Sequence, residues 1–187
     1  MTARPYHHGN LRVALLDATA QAIADHGVAA LSLRDVARRI GVSHAAPAHH
    51  FGDKTGLLTA LAAQGYELLA GALDAAGEDL LESGVAYVRF AAAHRAHFEL
   101  MFQPGLYQAD DPVVAAARDR AEQRLAAALA SSVPAGTEED RQTAELAAWS
   151  IVHGFATLWL SGALPADLGA DPGPAARAVI RRLFEQP

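Results

Sequence analysis

The 187 residues suffice for one large domain or two small ones, and a hydrophobic content of 51% is enough to bury a core. The absence of cysteine excludes disulfides and thiolate metal sites, and no run reaches the roughly 18 consecutive apolar residues of a membrane span. The net charge of −6 argues at first against a nucleic-acid partner. We expect a cytoplasmic protein without a membrane partner, because the first residues lack the apolar run of a secretion signal.

The charge is distributed unevenly along the chain. Residues 1–54 carry six Lys and Arg against four Asp and Glu, a balance of +2, together with six of the nine histidines. The remaining residues carry nine basic and seventeen acidic side chains, a balance of −8. A basic head on an acidic body is compatible with DNA binding through one end of the protein.

Helical spacing of apolar residues dominates the sequence, so we predict an all-α fold of about nine helices. A first helix covers roughly residues 10–26. Ser32 opens a short second helix, with Asp35 three positions later in a capping-box pattern. Gly41 is expected to end that helix in a left-handed conformation, followed by the apolar residue Val42.

A third helix is expected to begin with Ser43 as its cap and to run to about Phe51, with Pro47 near its start. Asp53 can cap a long fourth helix. The helices beyond residue 78 are longer, and the last follows a segment rich in proline and glycine. This order predicts four helices in the head and the rest in the body.

The two short helices of residues 32–51 carry the clearest functional signal, because an amphipathic helix, a turn with glycine and a short exposed helix make a DNA-binding helix-turn-helix. The alternative is a capped helical hairpin such as any α-bundle contains. The candidate DNA-binding residues are Ser32, Arg34, Ser43, His44, Ala45, Ala46, His49, His50 and Lys54.

The chemistry of these side chains assigns them different roles. Ser32, Lys54 and His50 are candidates for phosphate contacts, which set the position of the protein on DNA. His44 is the candidate for a hydrogen bond to a base edge, and Ala45 with Ala46 can touch thymine methyl groups in the major groove. His49 can serve either purpose.

The helix predicted at residues 138–162 has apolar side chains on two sides, so it must be buried on two sides. One side packs the subunit's own core, and the other meets a second subunit together with the last helix, in a twofold four-helix interface. A monomer with a large core is the alternative. The candidate dimer residues are Ile151, Gly154, Phe155, Leu158, Val179, Ile180 and Leu183.

Two segments are enriched in aromatic residues and histidines, as an apolar ligand pocket with a few polar anchors would be. Aromatic stripes at helical spacing are, however, also typical of a core. The candidate pocket residues are Tyr87, Phe90, His94, Phe98, Met101, Phe102, Trp149 and His153. His94 and His97 lack a convincingly spaced third ligand, so we predict neither a metal site nor a cofactor.

Several stretches of the chain match known motifs, namely Tyr6-His7-His8-Gly9-Asn10-Leu11-Arg12, Ala24-x2-Gly27, Leu33-x2-Val36-Ala37-x3-Gly41-Val42-Ser43, His50-Phe51-x2-Lys54-x2-Leu57, and Trp149 followed by His153-Gly154. The sequence resembles the TetR (tetracycline-repressor-like) family of transcription regulators. The first and last motifs are similar to those of a subgroup with a Trp…His-Gly (WHG-type) C-terminal domain. Ala48 departs from the family pattern, which usually has a DNA-contacting tyrosine there.

The resemblance implies a helix-turn-helix DNA-binding domain at residues 1–54 and a ligand-binding and dimerisation domain at residues 55–187. It also implies a homodimer on double-stranded operator DNA, released when a small apolar or aromatic effector moves the fourth helix. A helical-bundle enzyme or metal-binding protein is the alternative, but we find no catalytic constellation and predict no enzyme. An architectural DNA binder without an effector is a third possibility.

Overall fold

The structure is a computed structural model that describes residues 8–132 and 137–184. The described residues form nine α-helices, three short 3₁₀ turns and no strand, which confirms the predicted all-α class. The α-helices are α1 (His8–His26), α2 (Leu33–Arg39), α3 (Ala46–Phe51), α4 (Lys54–Ala76), α5 (Leu80–Ala93), α6 (Arg95–Met101), α7 (Pro112–Ala130), α8 (Glu138–Leu160) and α9 (Gly173–Phe184). Residues 6 and 7 of the N-terminal motif lie outside the described residues.

The chain forms two compact units, and each unit consists of two separate stretches of the sequence. Unit 1 comprises the described residues up to Gly65 together with Ala96–Ala115, and unit 2 comprises Tyr66–Arg95 together with the described residues from Ala116 onward. Helix α4 therefore contributes its first half to unit 1 and its second half to unit 2.

Unit 1 holds the head of the protein around a small apolar core. Helix α2 packs against both α1 and α3. Leu15 of α1, Val36 of α2 and Leu57 of α4 are fully buried. The side chains that fix the two short helices are thus aliphatic, which leaves their polar side chains on the surface.

Both ends of α2 form as predicted. The Ser32 hydroxyl accepts a hydrogen bond from the Asp35 amide at 3.1 Å, which satisfies one of the free amides of the first turn. Gly41 has a φ of 69°, and its amide donates to the Arg38 carbonyl at 3.2 Å. The Val42 amide donates to the Ala37 carbonyl at 3.1 Å, which completes a Schellman motif and reverses the chain before α3.

The prediction that Ser43 caps α3 is wrong. The helix begins at Ala46, and the Ser43 carbonyl instead accepts a turn hydrogen bond from the Ala46 amide at 3.0 Å. The reason is Pro47, whose missing N–H would be required to donate to the Ser43 carbonyl if the helix began that early. Proline fits only the first turn, so the turn is longer and α3 is shorter than predicted.

Helix α4 begins as predicted, because the Asp53 carboxylate accepts a hydrogen bond from the Gly56 amide at 2.8 Å. Of the helices in the described residues, α4 alone is long and apolar enough by length and composition to cross a membrane, with a mean hydropathy of 1.2. However, 61% of its most apolar window is buried inside the protein, as expected of a core helix.

Unit 2 is organised around α5, which packs against α8 and α9. Val85, Tyr87 and Val88 on α5 are fully buried. A Cβ atom at Gly84 would lie 2.7 Å from Ile180 Cδ1, so the small residue lets α9 approach closely. Two ion pairs also join α5 to the α9 region, Arg89 with Asp171 and Glu82 with Arg177.

Candidate DNA-binding and effector sites

The residues between the Schellman turn and the end of α3, 43–51, form a surface segment that we term the recognition segment. Pro47 anchors it, since it is the buried residue of α3. All nine predicted DNA-binding residues lie at the surface of unit 1. Arg34, Ser43, His44, Ala45 and His49 are exposed, and Ser32, Ala46, His50 and Lys54 are partly buried.

Two of the predicted phosphate contacts already have partners within the protein. The Ser32 hydroxyl donates to the Asp35 carboxylate at 3.0 Å, and the Lys54 ammonium donates to the Val28 carbonyl at 3.1 Å. A lysine ammonium has three donors, so one bond leaves Lys54 able to bind a phosphate as well. The bond to Val28 also holds the start of α4 beside the turn that follows α1.

The carboxylates of α1 and α2 in this region are paired with arginines. Asp35 lies 2.6 Å from Arg38, and Asp25 lies 2.8 Å from Arg39. These pairs reduce the repulsion that Asp35 and Asp25 would exert on a phosphate backbone. Arg12, which the sequence analysis did not select, lies 5.2 Å above the Phe51 ring in a cation–π contact.

The predicted pocket residues fall into both compact units. Phe98, Met101 and Phe102 belong to unit 1, where Phe98 and Met101 are buried. The five others belong to unit 2, namely Tyr87, Phe90, His94, Trp149 and His153. Helical spacing alone could not separate the two groups, because the residues of both recur at helical intervals in the sequence.

Unit 2 contains an open groove of about 400 Å³ between α4 and α5. Its lining is mainly apolar and includes two predicted pocket residues, Phe90 and His94. The lining residues are Leu68, Ala72, Ala75, Ala76, Glu82, Ala86, Arg89, Phe90, Ala93 and His94. The alanines of this lining carry no signal in the sequence, and they leave the space because they are small. Ala86 and Ala93 are spaced two helical turns apart.

Glu82 and Arg89 are charged residues in the lining of the groove. Glu82 forms an ion pair with Arg177 of α9, and Arg89 forms one with Asp171, just before α9. Hydrogen bonds and charge from Arg89 lower the pKa of Asp171 to about 2, and the Arg177 hydrogen bond lowers the pKa of Glu82. Both carboxylates are therefore ionised at neutral pH, and each neutralises its arginine. The groove offers an apolar surface bordered by a balanced set of charges.

A second cluster in unit 2 consists of Tyr87, Trp149 and His153. The Trp149 indole N–H donates to the Tyr87 hydroxyl at 3.4 Å, and this hydroxyl lies 3.0 Å from His153 Nδ1. Because the phenol oxygen accepts from Trp149, its hydrogen is available to donate to Nδ1, which favours neutral histidine. Burial lowers the pKa of His153 and raises that of Tyr87. Neither group carries charge at neutral pH.

Within residues 8–132 and 137–184, no group of three or more His, Asp or Glu side chains is arranged to hold a metal ion. His94 and His97 belong to different units. The buried His97 ring makes a hydrogen bond to Gln64 Oε1 at 3.1 Å.

Two family descriptions together cover most of the sequence. Residues 15–61 match the bacterial regulatory proteins of the tetR family, and residues 80–183 match the tetracyclin repressor-like C-terminal domain. The second match alone spans more than half of the chain. The protein belongs to the TetR family. No curated protein matches the chain.

Solved structures agree with the TetR assignment. A protein of unknown function from Rhodococcus sp. RHA1 is 32% identical, with a TM-score of 0.77 over 97% of this chain and 95% of that one. The TetR-family regulator PfmR from Thermus thermophilus is 23% identical, with a TM-score of 0.68 over 91% and 96%. LfrR from Mycobacterium smegmatis, in complex with proflavine, is 20% identical, with a TM-score of 0.67 over 93% and 94%.

These findings confirm the predicted family, fold class and general function. The protein is a ligand-responsive, DNA-binding transcriptional regulator of the TetR family. The matching C-terminal description does not identify the WHG-type subgroup, which stays a prediction.

The predicted dimer residues of this TetR-family chain differ in exposure. Leu158 and Val179 are exposed, Ile151 and Gly154 are partly buried, and the side chain of Leu183 lies outside the described residues. Phe155 and Ile180 are buried within the protomer itself. Leu146 and Trp149 of α8, which were not assigned to the interface, are 60% and 42% exposed.

Proposed function

We propose that the protein is a cytoplasmic homodimeric repressor that leaves its operator when a small apolar or aromatic effector binds. In this proposal residues 1–54 bind DNA, and residues 55–187 bind the effector and the second subunit. The protein acts by binding and not by catalysis. The main support is the recognition segment, which exposes His44 in the turn before α3 and His49 on α3, close in sequence to the paired carboxylate of Asp35.

The second subunit is supported by the large apolar side chains that α8 and α9 leave in solvent. Leu146, Trp149, Leu158 and Val179 are each at least 40% exposed, whereas Val152 and Ile180 of the same helices are buried. A helix with one apolar side in the core and another in water is typical of an uncovered interface. A twofold axis would pair the same helices from two copies into a four-helix interface.

The effector is supported by the groove between α4 and α5. Its apolar lining and its volume of about 400 Å³ suit a small flat molecule. Leu68 and Ala72 of this groove belong to the same helix, α4, as Lys54. In this proposal the effector acts through α4, whose first turn directly follows α3.

The free energy that must couple effector binding to operator binding is modest. An effector that favours badly spaced recognition segments by about 3 kcal/mol weakens operator affinity more than a hundredfold. A ligand in the groove supplies this free energy through contacts that it makes in one arrangement of the dimer and not in the other.

The DNA-binding part is tested by enriching duplexes from a random-sequence library with the full protein. Fluorescence anisotropy then compares an enriched duplex with a scrambled one at several salt concentrations. We expect sequence-specific, salt-sensitive binding, because phosphate contacts release counterions. Failure to enrich any duplex at low salt would contradict DNA binding.

The effector part is tested with proflavine as a probe, since it is the ligand named in the LfrR structure. Ala86→Phe fills the groove, whereas Ala127→Phe adds the same ring at an exposed position of α7 outside it. We expect calorimetry to show proflavine binding to the wild type and to Ala127→Phe only. Equal binding to Ala86→Phe would remove the groove as the effector site.

A further inference from the structure

The recognition segment has an unusual source of positive charge. Residues 43–51 contain no arginine, lysine, aspartate or glutamate, so their charge-bearing side chains are His44, His49 and His50. His44 and His49 are exposed, and His50 is partly buried. Any positive charge that this segment offers to DNA must therefore come from protonated histidine.

The arginines and the lysine nearest in sequence to the recognition segment lie on neighbouring elements, outside residues 43–51. The Lys, Arg, Asp and Glu residues on the neighbouring elements are Arg12, Asp17 and Asp25 of α1, Arg34, Asp35, Arg38 and Arg39 of α2, and Asp53 and Lys54 at the start of α4. Asp35 is paired with Arg38, Arg39 with Asp25, and Asp53 with the Gly56 amide. In the described part of the chain, none of the three histidines forms an ion pair with a carboxylate. The counter-charge for their protonated forms must come from outside the chain.

A DNA backbone supplies that counter-charge. Histidine ordinarily titrates near pH 6.5, and a nearby phosphate favours its charged form. The His49 and His50 rings lie edge to face with centroids 5.5 Å apart, so one phosphate can interact with both. The methyl side chain of Ala48, next to His49, offers no polar group to the backbone.

We infer that operator binding by this protein is coupled to proton uptake by His49 and His50, so that its affinity for DNA rises as the pH falls from 8 to 6. This inference rests on the proposed DNA-binding function and adds pH regulation to it. Each linked proton changes the binding constant by up to about tenfold per pH unit within the window where bound and free forms differ in protonation. Each additional phosphate neutralised also steepens the salt dependence by about 0.9 in the double-logarithmic plot.

The coupling is measured with the full protein and a fluorescein-labelled duplex enriched from a random-sequence library. Anisotropy titrations from pH 8 to pH 6 should show about a tenfold gain in affinity for the wild type. Calorimetry in two buffers of different ionisation enthalpy should show protons taken up on binding. The salt dependence should be steeper at pH 6 than at pH 8.

Two variants and one control assign the effect to the recognition segment. The double variant His49→Gln/His50→Gln keeps side chains that hydrogen-bond but do not titrate, and its gain in affinity between pH 8 and pH 6 should fall below about twofold. His49→Lys should bind at pH 8 more tightly than the wild type, because its charge is permanent. His26→Gln alters an exposed histidine at the end of α1 and should keep the wild-type pH dependence.

The outcomes separate the two proposals. If no duplex is enriched at any pH, DNA binding itself fails. If the enriched duplex binds equally at pH 8 and pH 6, or the double variant keeps the wild-type pH dependence, the coupling is overturned while DNA binding stands.

Discussion

At the level of single residues, His44 is the most informative position of the recognition segment. It lies in the turn between α2 and α3, exposed and flanked by the small residues Ser43 and Ala45. Small neighbours allow the chain to approach the floor of a major groove, where an imidazole can bind a base edge.

His44→Ala is expected to lower affinity for an enriched operator about tenfold and affinity for a scrambled duplex far less. A lost base contact costs on the order of 1–3 kcal/mol, whereas phosphate contacts are unaffected by sequence. Competition anisotropy at fixed salt and pH measures both affinities. An equal loss on both duplexes would show that His44 contacts the backbone and not a base.

His153 offers a prediction about pH and stability. Its pKa is lowered by burial, so the folded protein resists protonation that the unfolded chain accepts near pH 6.5. The unfolded state then binds more protons, and the free energy of unfolding decreases as the pH falls below about 6.5 towards the folded pKa. NMR titration of the His153 ring should give a midpoint below 6.5.

Tyr87→Phe is the matched test of the hydrogen bond to this histidine. The variant keeps the ring and removes the hydroxyl that lies 3.0 Å from Nδ1, so the midpoint of His153 should rise. A midpoint of 6.5 or above in the wild type would contradict both burial and the hydrogen bond as its determinants.

At the level of helices, the junction of α3 and α4 depends on a close backbone approach. A Cβ atom at Gly56 would lie 2.0 Å from the Phe51 carbonyl oxygen, which is backbone and cannot rotate away. Gly71 lies in the same helix, and a Cβ atom there would meet nothing within 4 Å.

The two glycines should therefore respond to alanine in opposite directions. Gly56→Ala is expected to lower the free energy of unfolding by about 2 kcal/mol or more, because the backbone must shift. Gly71→Ala is expected to raise it by about 0.5–1 kcal/mol through better helix propensity. Urea denaturation measures both, and a Gly56→Ala variant as stable as Gly71→Ala would refute the close approach.

The helix ends of unit 1 show which local features could and could not be predicted from the sequence. The cap at Ser32, the left-handed Gly41 and the cap at Asp53 follow from local chemistry, and all three form as predicted. The Ser43 cap fails because Pro47 lacks the N–H that the required hydrogen bond needs, a constraint that is visible in the sequence. Gly56 gives no such signal, since only the packed structure shows why it must be small.

At the level of the whole molecule, the proposed dimer can be tested by substituting two exposed valines. Val179 of α9 is 40% exposed on the proposed dimer face, and Val113 of α7 is 65% exposed in unit 1. Val179→Glu should weaken the dimer at least about tenfold, because a buried carboxylate loses its hydration. Val113→Glu should leave it intact. Sedimentation velocity over a concentration series measures both, and identical behaviour of the two variants would place the interface elsewhere.

The overall architecture was easier to predict than the location of the binding surfaces. Helical periodicity and family motifs sufficed for the fold, because they depend on local patterns repeated along the chain. The groove between α4 and α5 depends on which alanines face each other across two helices. Likewise, Phe155 and Leu158 are three residues apart on α8, yet only the packed unit shows that one is buried and the other exposed.

The position of the two tryptophans has a practical consequence. Trp149 and Trp159 are the only tryptophans of the sequence, and both lie on α8. Intrinsic indole emission from this protein therefore originates from a single helix. Trp149 is 42% exposed in the isolated chain, whereas Trp159 stacks on Phe155 with ring centroids 6.3 Å apart. Subunit association should shift the emission to shorter wavelength without any added label, and Trp149→Phe supplies the reference spectrum.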